Sequence, residues 1–203
     1  MDAADFKERL SKALKGKVPR DANRSSWIGR RADEMNIGEE RLAAYLHGEN
    51  QCPGSVLLNA PEVAKRVLGL AGYLRGETSL SPRIRELAML VAARENDCQY
   101  IWNAHAPAGR RAGLRDELVD ALRDKKELPS PAPDEASLVN YGQEYFRTHR
   151  VSQATFDAAL AQFGALGLTE LTSLMGCYAL LAFNVNAFGV ELPAERTEEV
   201  LPI

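Results

Sequence analysis

The chain has 203 residues, of which 45% are apolar and 26% charged, an ordinary globular composition with enough apolar material for a core. Lys+Arg is 25 and Asp+Glu is 28, a net charge of −3, so no basic excess is present to neutralise a phosphate backbone and no nucleic-acid partner is expected. No apolar run approaches the ~18 residues of a membrane span. The charged opening MDAADFKERL carries no signal-peptide core, so a cytoplasmic protein without a membrane partner is expected.

Taken in chain order, the sequence reads as helix after helix. Phe6, Leu10 and Leu14 recur four apart and predict a short amphipathic helix over 3–15. EERLAAYLHG predicts a second over 39–48, stopped by Gly48, and NQCPGSV is a loop by its Pro-Gly pair. Apolar residues then become denser. These shifts divide the chain into an N-terminal helical arm (1–51), a main helical domain (52–193) and a C-terminal tail (194–203).

Pro61 opens PEVAKRVLGLAGYLRG, which stops at Gly76. Ser81 followed by Pro82 is a start signal: the hydroxyl caps free amides, and proline fits the first turn. That helix runs to about Asn96. The next is expected from Cys98 to Gly113, and a further one from Arg115 to about Lys125. The proline-rich ELPSPAPD is a loop. Leu138, Tyr141, Gly142, Tyr145 and Phe146 follow helical spacing, as do Phe156, Ala159, Leu160 and Phe163 after Ser152. Thr169 is expected to begin a last helix, closed by Gly189 and apolar on nearly every face. Such a helix is either the centre of the core or presents one face to another subunit. No segment alternates with the period of two that a sheet needs, so the fold class is all-α.

Three cysteines (Cys52, Cys98, Cys177) are too few for a disulfide framework. Histidines 47, 105 and 149 lie far apart, without CxxC or HExxH spacing, so no metal site is expected. Neither GxGxxG nor GxxxxGK[ST] occurs, and no organic cofactor is expected. The candidate chemistry sits in residues 80–114. Glu86 has Met89, Leu90 and Ala93 on its own helical face, which suits a part-buried carboxylate that holds or passes a proton. The competing reading is a surface ion pair with Arg83 or Arg85. His105 lies among Ile101, Trp102, Ala108, Gly109 and Ala112, as a core histidine or as a catalyst. Pro107 cannot donate to the carbonyl of Asn103, which leaves room for a ligand beside the imidazole.

Cys98 precedes His105 by two helical turns, a rise of about 10.5 Å that excludes direct activation of the thiol by the imidazole. It is a small buried thiol, or it needs another base. Tyr100 and Trp102 are either core aromatics or a wall for a flat substrate. His47 reads as a surface or interface residue, and His149, beside two arginines near a helix end, as one that favours the helix dipole.

The run RELAMLVAARENDCQYIWNAHAPAGRRAGL resembles the carboxymuconolactone decarboxylase family, which includes the alkylhydroperoxidase D-like proteins. Glu86, Cys98, Tyr100, Trp102 and His105 match the spacing of the family's Glu and of its C-x-x-C-x-x-x-H or Y-E-W-x-x-H motifs. VLLNAPEVAKRVLGLAGYLRGETSLSPR resembles the preceding segment, and LTELTSLMGCYALLAFNVNAFGVELP the closing helix of longer members. The resemblance implies an alkylhydroperoxidase D-like helical bundle that assembles as a homo-oligomer, a trimer or hexamer. It implies one of two activities.

The first is cofactor-independent proton transfer, by a lyase, decarboxylase or isomerase acting on a small carboxylated lactone or keto acid from aromatic breakdown. His105 would move the proton, Glu86 would orient it, Tyr100 would donate to a developing enolate oxygen, and Trp102 would shape the pocket. Arg83, Arg110 or Arg111 would hold the substrate carboxylate. The second is thiol-dependent peroxidase chemistry at Cys98. A departure from the motif weighs against it: Ile101 stands where peroxidase-type members carry the second cysteine, and bridgeable cysteines need Cα atoms within about 7 Å. Ile101 also replaces the Glu of the Y-E-W form. A third class is a helical oligomer that binds a ligand without catalysis.

Overall fold

A computed structural model of the chain describes residues 56–57, 60–193 and 195–203. The helices expected over 3–15 and 39–48, with His47 and Cys52, lie outside the described residues. Among the described residues the regular elements are six α-helices: α1 (Pro61–Gly76), α2 (Pro82–Glu95), α3 (Gln99–Arg111), α4 (Asp116–Arg123), α5 (Pro133–Thr148) and α6 (Gln153–Phe188).

Most boundaries fall where local chemistry puts them. The Ser81 hydroxyl accepts from the Ile84 amide at 3.3 Å, and Pro82 fills the first turn of α2. Ser152 caps α6 in the same way through the Thr155 amide. At the other end of α6, Gly189 takes the left-handed conformation (φ 61°), and the Val190 amide bonds back to Val185. His149 ends α5 in that conformation, fully on the surface. The sequence placed the break inside the last long helical stretch near Thr169. It occurs at Gly164 (φ 65°, ψ 174°), a backbone conformation that a side chain would strain. α6 is thus two helical arms joined at a kink.

α2 is the central element. Leu87 through Arg94 are all buried, because α3, α5 and α6 cover it on different sides. Gly142 allows α5 to come close. A Cβ there would stand 2.8 Å from both Val91 Cγ1 and Met175 Cε. The second arm of α6 supplies Leu171, Leu174, Met175, Tyr178, Ala182 and Val185 to the same core. α6 is long and apolar enough to cross a membrane by length and composition, with a window of mean hydropathy 1.4. More than half of that window is buried inside the protein, as a core helix requires.

Polar clamps hold the helices in register. Arg83 of α2 bonds to Asp134 and Glu135 in the first turn of α5. Glu135 also accepts from the Ala132 amide at 2.8 Å. The chain beyond α6 turns back over the bundle: Gln99 brackets the Leu201 backbone at 2.7 and 2.8 Å, and Arg94 donates to the Pro202 carbonyl.

Glu170 ties α6 to the α1–α2 connection. It accepts from the Ser79 hydroxyl at 2.6 Å, the Ser79 amide at 2.9 Å and the Tyr73 hydroxyl at 3.0 Å. These bonds, the Ser79 hydroxyl first, hold its carboxyl below the usual glutamate range. A depressed carboxylate contributes stability above its unfolded pKa and loses it as pH falls through the folded value. Glu170→Ala is therefore expected to lose about 1–3 kcal/mol at neutral pH. Urea unfolding at stepwise lower pH should show that deficit shrinking. A deficit independent of pH would contradict the assignment.

Candidate active site: a carboxylate–imidazole pair

Glu86 and His105 meet where α2 and α3 cross. His105 Nδ1 lies 2.8 Å from Glu86 Oε2, and the side chains are 17% and 21% exposed. The crossing is close because of Gly109, one turn after His105 on the same face. A Cβ at that position would lie 2.8 Å from Leu114 Cδ1, 3.3 Å from Leu90 Cδ1 and 3.6 Å from Glu86 Cβ. The small residue lets the two backbones approach until carboxylate and imidazole touch. The surface ion-pair reading of Glu86 does not hold, because its rival partners are engaged elsewhere. Arg83 goes to α5, and Arg85 donates to the Leu80 carbonyl at 2.7 Å.

A carboxylate next to Nδ1 accepts the proton of that nitrogen when the ring is neutral. The lone pair is then on Nε2. No described residue bonds to Nε2. The pair is thus a base with an oriented lone pair, or an acid once protonated, at a part-exposed margin that water can reach.

A third side chain completes the group. The Tyr178 ring, from α6, stands edge-on to the imidazole, with centroids 5.0 Å apart and planes at 81°. Tyr178 is 2% exposed, and burial pushes its phenol upward, so it stays protonated. The positive charge of Arg75, in the last turn of α1, opposes the shift. Sequence reasoning missed Tyr178. The available signal for Tyr178 was a single phenol in the apolar stretch from Leu174 to Phe183.

The remaining expected residues divide clearly. Cys98 caps α3 two turns from His105 and is 0% exposed. Burial pushes its thiol up, against a smaller downward pull from the Ile101 and Tyr100 amides. A sealed thiol of raised pKa is a poor nucleophile, which corrects its place in a catalytic set. Native protein should therefore show the same number of fast-reacting thiols with Cys98 as with Cys98→Ser, read with a chromogenic disulfide reagent. A fast thiol lost in the variant would contradict this.

Tyr100 lies five positions before His105, about 140° round the helix, and packs partly buried against the core. It is not on the imidazole's face, so the enolate-donor role does not fit it. Trp102 is 1% exposed and belongs to the core rather than to a wall. Two of the three expected carboxylate-binding arginines are already neutralised, and Arg111 is on the surface at the end of α3. Arg83 is held by two acids, and Arg110 by Asp116, Asp120 and Glu198. Among the described residues, no three His, Cys, Asp or Glu side chains are grouped as a metal would need. A cavity of about 310 Å³ lies elsewhere, near the α6 kink, lined by Tyr141, Phe156, Leu168 and Thr172.

An all-helical domain with a carboxylate–imidazole pair across two adjacent helices defines the class. Residues 61–143, from α1 into α5, match the model of the carboxymuconolactone decarboxylase family and form a domain of that family. Among solved structures, the chain is similar to the crystal structure of a protein of unknown function from Agrobacterium tumefaciens, described as a candidate antioxidant defence protein AhpD. The likeness has a TM-score of 0.63 at 20% identity, over 68% of this chain and 96% of that one. At that identity it shows the fold, which is AhpD-like. No curated protein matches the chain.

Proposed function

We propose that the protein is a cofactor-independent lyase, a decarboxylase or isomerase, that moves a proton on a small carboxylated lactone or keto acid of aromatic breakdown. The observation that carries this reading is the 2.8 Å contact between Glu86 and His105 at a part-exposed position. His105 Nε2 takes or delivers the proton at the reacting carbon. Glu86 fixes the tautomer and compensates the imidazolium when it forms. The peroxidase alternative draws less support, since Cys98 is sealed and Ile101 stands where a second thiol would be needed. A non-catalytic binding role gives no reason for a carboxylate to meet an imidazole at that margin.

The reading includes a homo-oligomer. Leu180 and Phe183, 38% and 65% exposed on the outer face of α6, favour a second copy there.

A panel of lactones and β-keto acids, run beside a peroxide assay with a dithiol reductant, tests the proposal. Turnover of a carboxylated lactone or keto acid, with no peroxide consumption, is expected. Peroxide consumption that vanishes in Cys98→Ser and survives loss of His105 would overturn it.

A further inference from the structure

The cavity beside the α6 kink takes no part in the proton-transfer reading. It holds about 310 Å³, and neither Glu86, His105 nor Tyr178 lines it. Both sides of Gly164 contribute to it: the first arm of α6 supplies Phe156, and the second supplies Ala165, Leu168, Thr169 and Thr172. α5 adds Tyr141, which is 5% exposed. Ligand pockets begin at about 300 Å³, so the space suits a molecule of one ring.

The polar groups of this cavity have a direction. Thr172 Oγ1 lies 2.7 Å from the Leu168 carbonyl oxygen and 2.8 Å from the Tyr141 hydroxyl. A carbonyl has no proton to give, so the Thr172 hydroxyl donates to it. The proton between the two hydroxyls is then that of Tyr141. Both protons are used, and the oxygens keep lone pairs. Thr169 likewise donates to the Ala165 carbonyl at 2.8 Å. The lining is therefore rich in acceptors, and among the described residues that form it none carries a charge.

These features set the chemistry of an occupant. The rings of Tyr141 and Phe156 and the Leu168 side chain favour an apolar, flat body. Its polar group must bring a hydrogen, because a bare oxygen would face lone pairs. It must also be uncharged, because an ion would leave water without meeting a counter-ion. We propose that this cavity is a second binding site, for an uncharged single-ring phenol whose O–H donates to the Tyr141–Thr172 hydroxyl pair. The site is separate from the Glu86–His105 pair, and its existence does not depend on the lyase reading.

Methyl NMR of the threonine-labelled full chain tests it, with the Thr169 and Thr172 signals assigned by their loss in single Thr→Val variants. Phenol should shift both signals saturably in the millimolar range. Anisole, which has the ring without the donor, should bind at least about threefold more weakly. Benzoate should leave both signals in place. The double variant Tyr141→Phe/Thr172→Val, read through Thr169, should bind phenol and anisole alike, since removing both partners of a bond preserves the shape. Phe156→Ala changes a ring that is 38% exposed, so it keeps the fold, and it should weaken phenol severalfold. His105→Gln should bind phenol as wild type does. No saturable shift with phenol, equal binding of anisole by wild type, or benzoate binding at these signals would each overturn the proposal. So would a phenol preference that survives in the double variant, or phenol binding that is unchanged in Phe156→Ala or lost in His105→Gln.

Discussion

Replacing His105 with Gln abolishes turnover and leaves the protein folded. Glutamine is close in size and still donates to Glu86, so the helix crossing over Gly109 survives. What it lacks is a ring nitrogen that can take up and release a proton. General acid–base groups contribute roughly a hundredfold to ten-thousandfold, and a loss in that range is expected. kcat should fall with little change in KM, because the imidazole acts on the transition state more than on the bound substrate. Circular dichroism and the melting curve should stay close to wild type. Undiminished kcat would remove the mechanism.

Replacing Trp102 with Ala gives the opposite pattern. The side chain is 1% exposed and packs within the central cluster, so its loss leaves a cavity in the core. The expected cost is about 3–5 kcal/mol, read by chemical denaturation. Trp102→Phe should cost much less. The indole N–H has no hydrogen-bond partner, so removing it relieves an unsatisfied donor while most of the apolar volume remains. A tryptophan that formed a substrate wall would instead lower affinity and leave stability unchanged. That result would return Trp102 to the site.

The fold was readable where local chemistry sets it. Pro61, Ser81–Pro82, Gly76 and Gly189 each act within a turn or two, so the first two helices and the end of the last lie where they were expected. The break in α6 fell at Gly164 rather than near Thr169. Thr169 resembled a start signal, yet its hydroxyl bonds back to the Ala165 carbonyl inside the helix. Glu86 and His105 were legible through the family-like spacing, although periodicity alone left each with a bland alternative.

The rest of the site depends on tertiary contact. An arginine in a sequence does not reveal which acid will claim it. Arg83 is taken by Asp134 and Glu135 of a helix much later in the chain, and Arg110 by Glu198 beyond α6. Tyr178 has no motif. It reaches the imidazole because α6 packs across α2.

The most direct test of the carboxylate–imidazole base is nitrogen NMR of histidine-labelled protein, with the His105 signals assigned by their loss in His105→Gln. The account predicts a neutral imidazole protonated at Nδ1 and bare at Nε2, with that tautomer preference lost in Glu86→Ala. A His105 ring protonated at Nε2, or one whose tautomer ignores the removal of Glu86, would contradict it.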